Sequence, residues 1–150
     1  MRNEKRMDTK TAHAMEICEK YHRIKSEGKK AEAAWKYNLD QAAEAKYQSE
    51  KEMYEEYAEK ALAGFKASIE WVQIVDRAMR LVSSYEAQCV LTQHFVEGKP
   101  LKAISGKNGQ CMSRTTATKY KKIGIDDFGD NILMACAELD RLERILETSF

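Results

Sequence analysis

Residues 84–123 read SYEAQCVLTQHFVEGKPLKAISGKNGQCMSRTTATKYKKI, and this stretch decides how the rest of the chain divides. Five of the seven glycines and the one proline fall between Gly98 and Gly129, so the chain is punctuated here and almost nowhere else. Just ahead, Ser83 and Glu86 have capping-box spacing, in which a hydroxyl and a carboxylate satisfy the first free N–H groups of a helix. The helix so opened carries Cys89, Val90, Leu91, Phe95 and Val96 and runs from Tyr85 to about Val96. Gly98 suits the left-handed position that ends a helix. Pro100, lacking an N–H, suits the first turn of a short helix through Leu101, Ala103 and Ile104. GKNGQCM, residues 106–112, reads as a loop. Ser113 then caps a helix, RTTATKYKKI, which Gly124 is expected to end.

On the N-terminal side the breakers thin out to Gly28 and Gly64. A first helix is expected from Thr9 to Ser26, capped by Asp8, with Met15, Cys18, Tyr21 and Ile24 as its apolar stripe. Gly28 is expected to break it. A second helix then starts near Lys29 and runs past Ala61 without a stop, with Trp35, Leu39, Ala42, Met53, Tyr57 and Leu62 as core candidates. Lys46 and Ser49 interrupt that seam, so the heptad pattern is weak. From Phe65 the apolar density rises through Ile69, Trp71, Val72, Val75, Met79, Leu81 and Val82. On the C-terminal side, Asp126, Asp127 and Asp130 are placed near the start of a last helix, where the macrodipole favours anions. Its face comprises Ile132, Leu133, Cys136, Leu139, Leu142, Ile145 and Leu146. The expected fold class is all-α, with a helical stem over 1–82 for dimerisation or partner binding and a second region over 83–150.

Composition narrows the function classes. In 150 residues, 43% are apolar and 33% charged, and the mean hydropathy is −0.63, which allows a thin core under a charged surface. No apolar run is long enough to span a membrane, and MRNEKRMDTK lacks the apolar core of a secretion signal. A cytoplasmic location is therefore expected. Cys18, Cys89, Cys111 and Cys136 form no C-x-x-C pair; Cys18 and His22 alone have ligand spacing on a helix, without further ligands nearby. No nucleophile–base arrangement is present, paired carboxylates such as Glu55–Glu56 lie on polar faces, and GKNGQ lacks the phosphate-loop pattern. Neither an enzyme nor a metal or cofactor is expected.

The charge distribution is informative where the net charge of +1 is not. Lys99, Lys102, Lys107, Arg114, Lys119, Lys121 and Lys122 fall within residues 99–125, which contain no acid. Such a cluster suits phosphate backbone. A competing explanation is pairing with the acidic C-terminal segment, which holds Asp126, Asp127, Asp130, Glu138, Asp140, Glu143 and Glu147 against Arg141 and Arg144. Trp71 and Tyr120 can stack on bases, but both have apolar neighbours at helical spacing and are read as core.

Taken together, EAQCVLTQHFVEGKPLKAIS…MSRTTATKYKK resembles a helix-turn-helix of the sigma-factor region-four type, shared by sigma-like regulators of phages and prophages of the ArpU and RinA kind. VEGKP stands at the turn, LKAIS at the short second helix and SRTTATKYKK at the recognition helix. The resemblance covers residues 84–123, and the loop GKNGQCM is longer than the family's usual turn. It implies a core of Phe95, Leu101, Ile104 and Ala117. It also implies a DNA-facing set of Arg114, Thr115, Thr118, Lys119 and Lys122, with Ser113 capping beside a phosphate. Lys102, Lys107 and Lys121 join this set through their charge. The expected function is that of a phage-type transcriptional regulator binding double-stranded DNA, as a homodimer whose stem covers Trp35, Leu39 and Tyr57. An antiterminator contacting RNA polymerase shares the same features. The reading from a different class is a helical adaptor, or an inhibitor of a host protein, that binds protein alone.

Overall fold

A computed structural model describes residues 9–106 and 108–149, so the expected Asp8 cap lies outside the described residues. The fold is all-α. Six α-helices are present among the described residues: α1 (Thr9–Glu19), α2 (Tyr21–Glu44), α3 (Gln48–Arg80), α4 (Tyr85–Leu91), α5 (Arg114–Ile132) and α6 (Cys136–Glu147). A π-helical turn (Thr92–Val96) extends α4, and 3-10 turns occupy Leu101–Ala103 and Leu133–Ala135. The described residues contain one isolated β-bridge, between Ser105 and Cys111, and no strand. No helix among them is long and apolar enough to cross a membrane.

Several breaks fall elsewhere than the sequence suggests, for one recurring reason. Gly28 does not stop a helix; it lies inside α2, where an added Cβ would collide with Ser68. The first break comes instead at Lys20, and the second at residues 45–47, next to the Lys46 and Ser49 that interrupt the apolar seam. Gly124 and Gly129 likewise lie inside α5. A Cβ at Gly124 would be 2.9 Å from Leu91 Cγ, and one at Gly129 would be 3.3 Å from Ala14 Cβ. These glycines serve close helix packing, which local propensity does not register. Because α5 continues, Asp126, Asp127 and Asp130 sit in its second half rather than at the start of the last helix. Asp126 accepts from Thr11 Oγ1 at 2.9 Å, Asp127 accepts from the Ser83 N–H at 2.6 Å, and Asp130 pairs with Lys10.

Two compact units are built from non-contiguous segments. The first comprises Met1–His22 with Ile74–Cys136. Within it α1 packs along α5, and Ala14, Ile17, Cys18, Val75, Val82, Leu91, Ile125 and Phe128 are buried. Tyr21 donates to Asp76 at 2.9 Å, and Asn131 donates to the Ala78 carbonyl at 2.9 Å. The second unit comprises Arg23–Gln73 with Ala137–Phe150. Its α2 and α3 segments form a close-packed hairpin, in which Ser68 Oγ donates to the Ile24 carbonyl at 3.0 Å and Trp35 stacks on Phe65 with centroids 6.2 Å apart. The α6 residues Leu139, Leu142 and Leu146 are buried, Leu146 lies beside Gly64 of α3, and Trp71 Nε1 donates to Glu143 at 3.3 Å. α1 completes the first core and α6 the second.

Candidate nucleic-acid interface

The candidate interface starts from α4. Ser84, not Ser83, is its N-cap: Ser84 Oγ accepts from the Ala87 N–H at 3.2 Å. At the far end the chain widens into the π turn and closes on itself, with the Glu97 N–H donating to Thr92 O at 3.0 Å and the Lys99 N–H to Gln93 O at 2.9 Å. Gly98 permits this closure, having φ +75, a left-handed conformation that costs a side-chain-bearing residue of the L series free energy. Pro100 then leaves the turn extended, and its carbonyl accepts from the Ala103 N–H at 2.9 Å.

The short second helix expected through Ile104 shrinks to one 3-10 turn, Leu101–Ala103. Three groups hold the backbone out of helix beyond it. Gln93 clamps Ser105 with two bonds, accepting from its N–H at 2.9 Å and donating to its carbonyl at 2.8 Å. The Met112 N–H takes the Ile104 carbonyl at 2.7 Å. Ile104 itself is buried with Val90 and Ala117, and Leu101, Met112 and Tyr120 pack around that cluster. Residues 105–106 and 108–112 thus close as a small hairpin, with the Gly106 N–H donating to Gln110 O at 2.8 Å and Gly109 at φ +76. The Asn108–Gly109 pair is a sequence signal for such a turn. Gln93 carried no signal of its role, because its partner lies twelve residues away.

Ser113 caps α5, its Oγ accepting from the Thr116 N–H at 3.1 Å. Arg114, Thr115, Thr118, Lys119 and Lys122 are exposed. At 100° per residue they lie within an arc of about 140° on one side of the helix, opposite the buried Ala117 and Gly124. Thr118 returns its hydroxyl proton to the Arg114 carbonyl at 2.8 Å, which leaves its oxygen lone pairs as acceptors. Lys119 Nζ lies 5.6 Å from the Tyr120 ring centroid. Lys121 lies just outside that arc, about 20° beyond Arg114, with its Nζ 5.5 Å from the Phe95 ring centroid. Lys102 is exposed on the 3-10 turn, where its carbonyl accepts from Cys111 Sγ at 3.2 Å. Lys107 lies outside the described residues.

Lys102, Arg114, Lys119 and Lys122 make no ion pair among the described residues of the first unit, whereas Lys99 pairs with Glu97 at 3.4 Å. Two of the four acids of α6 are engaged inside the second unit: Glu138 with Arg141 at 2.7 Å and Glu143 with Arg23 at 3.9 Å. The Arg141 guanidinium holds the Glu138 carboxyl below the ordinary carboxylate range. Phe95, Ile104 and Ala117 are buried and Leu101 half-buried. Trp71 is buried, and Tyr120 is half-buried against the Val90–Ile104–Ala117 cluster. Cys18 is buried and His22 exposed, and burial pushes the Cys18 thiol up, away from the thiolate a metal needs. No cluster of three metal-ligating side chains occurs among the described residues.

Comparison of the chain with known protein families, with curated proteins and with solved structures finds no match.

Proposed function

We propose that this protein is a DNA-binding transcriptional regulator of phage or prophage type, with the first half of α5 lying in the major groove. The observation that carries the proposal is the exposed face of Arg114, Thr115, Thr118, Lys119 and Lys122 on a serine-capped helix, a stretch with no acid before Asp126. Its opposite side is fixed to α4 through Val90, Ile104 and Ala117. A major groove about 12 Å wide admits one α-helix, and recognition helices read base edges from their first turns. Arg114 and Lys119 reach base edges or phosphates, Thr115 and Thr118 supply short polar contacts, and Lys122 neutralises backbone further along. The Ser113 cap and the free N–H groups of the first turn favour a phosphate. In this role the protein is not an enzyme, needs no cofactor and works in the cytoplasm.

Fluorescence anisotropy with a random duplex of about 30 base pairs tests the proposal. Dissociation constants near ~10⁻⁴–10⁻⁶ M, weakening steeply between ~50 and ~200 mM salt, are expected of non-specific binding. A Lys119→Glu/Lys122→Glu variant of unchanged helicity should lose that binding. Absence of binding by the wild type at low salt overturns it.

One observation favours the protein-only adaptor: Met134 is 96% exposed beside Leu133 at 56% on the turn between α5 and α6. Exposed apolar side chains of this size suit a protein partner. For a DNA-binding protein the same surface suits RNA polymerase, and a reporter with a terminator between promoter and gene separates antitermination from promoter control.

A further inference from the structure

We propose that the open side of the α2–α3 hairpin is the homodimer interface, where a second copy of this chain completes a four-helix bundle. The hairpin has two sides. One is covered by α6, which meets Ala61, Gly64 and Trp71 of α3. The other, about a quarter turn round α3, carries Leu62, Phe65, Ile69 and Val72 at spacings of three and four. Trp35 and Leu39 of α2 continue it. These side chains remain half-buried or exposed, with Leu39 at 44% and Ile69 at 43%. Tyr57, expected in the same seam, instead lines the groove beside α6 with Asn38 and Thr148.

Charge selects the occupant. The heights of α2 and α3 are tied by Gly28 beside Ser68 and by Trp35 on Phe65. At those heights the outer edge of α2 presents Lys29, Glu32, Lys36 and Asp40. The outer edge of α3 presents Glu70 and Lys66 at the levels of Lys29 and Glu32, opposite in sign at each, and Glu59, which is within about one turn of Lys36 and level with Asp40. A two-fold axis parallel to the helices lays α2 of one copy antiparallel to α3 of the other at equal height. The apolar seams then meet, and each cation faces an anion twice over, once on each side of the axis. A foreign partner has no reason to match this alternation, whereas a second copy matches it by symmetry.

The test is the oligomeric state of the full chain by sedimentation at micromolar concentration, with circular dichroism as the control for folding. Wild type is expected to be a dimer, and Ile69→Glu, at an exposed position, a folded monomer. Reversing the α2 edge (Lys29→Glu/Glu32→Lys/Lys36→Glu) keeps the Glu32–Lys36 ion pair of 3.6 Å with its signs exchanged. Reversing the α3 edge (Glu59→Lys/Lys66→Glu/Glu70→Lys) is its counterpart. Each variant alone should be monomeric, and an equimolar mixture should form a one-to-one heterodimer, a rescue that no change within either chain explains. A monomeric wild type, a dimer indifferent to Ile69→Glu, or variants that stay monomeric when mixed would each overturn the interface. No DNA enters these measurements, so a dimer without duplex binding refutes the DNA reading and leaves the interface standing, and a monomer that binds duplex does the reverse.

Discussion

Gly124 shows what single positions contribute. In an open helix, Gly→Ala gains about 1 kcal/mol of helix propensity. Here the added methyl would sit 2.9 Å from Cγ of fully buried Leu91, and overpacking of this kind costs about 1–3 kcal/mol. Gly124→Ala should therefore lower the melting temperature by a few degrees, read by thermal circular dichroism; a higher melting temperature would mean Leu91 yields without cost. The cysteines supply a second prediction at this scale. Cys18 is 1% exposed with its thiol pushed up by burial, whereas Cys111 is exposed. Labelling with a thiol reagent should modify Cys111 quickly in the folded protein and Cys18 only on unfolding, as peptide mapping would report. Fast labelling of Cys18 would contradict the packing of α1. Residue identity made part of the core legible, since Val90 and Leu139 are buried as their spacing implies and Ile104 and Ala117 as the resemblance implies. It misread Gly28, Gly124 and Gly129, because a glycine that admits a neighbouring helix looks, in one dimension, like a glycine that ends one.

At the scale of elements, the segment between α4 and α5 departs most from the helix-turn-helix pattern. It is one 3-10 turn and a hairpin that Gln93 clamps beside the Ile104–Met112 bond and the buried Ile104. Gln93→Ala leaves the half-buried N–H and carbonyl of Ser105 without partners, which costs about 1–3 kcal/mol locally. Hydrogen exchange should then accelerate across residues 105–112 while the amides of α5 keep their protection. Unchanged exchange would show that the Ile104–Met112 bond and the buried Ile104 suffice. The helices themselves were legible from periodicity, α6 above all. Their ends were legible where a cap is chemical, as at Ser113, and not where an end is set by distant packing. The loop's closure was half visible, in Asn108–Gly109, and half hidden, in a clamp that joins two elements.

For the whole molecule, the two compact units interleave along the chain, and this limits what can be excised. A fragment of residues 83–150 keeps α4, α5 and α6 but loses Ala14, Ile17 and Cys18, which fill the first core, and the α2 and α3 segments on which α6 packs. Each buried aliphatic side chain is worth about 1.5–3 kcal/mol, against a total stability of about 5–15 kcal/mol. The fragment should therefore show no cooperative thermal transition by circular dichroism, whereas a sharp one would contradict the interleaved cores. Breakers clustered between Gly98 and Gly129 suggest a stem followed by a helix-turn-helix, whereas α1 gives no sign in one dimension that it packs along α5. The candidate interface was more legible than the architecture: Arg114, Thr115, Thr118, Lys119 and Lys122 share a face because their spacing on a capped helix requires it, whereas the place of Lys121 depends on Phe95. The central claim is that this face meets DNA, and amide chemical-shift mapping of the labelled protein, titrated with duplex at low salt, tests it most directly. If this face meets DNA, shifts concentrate at residues 113–122 and on the 101–103 turn and reverse as salt is raised. Shifts concentrated on α6, or none at low salt, would contradict it.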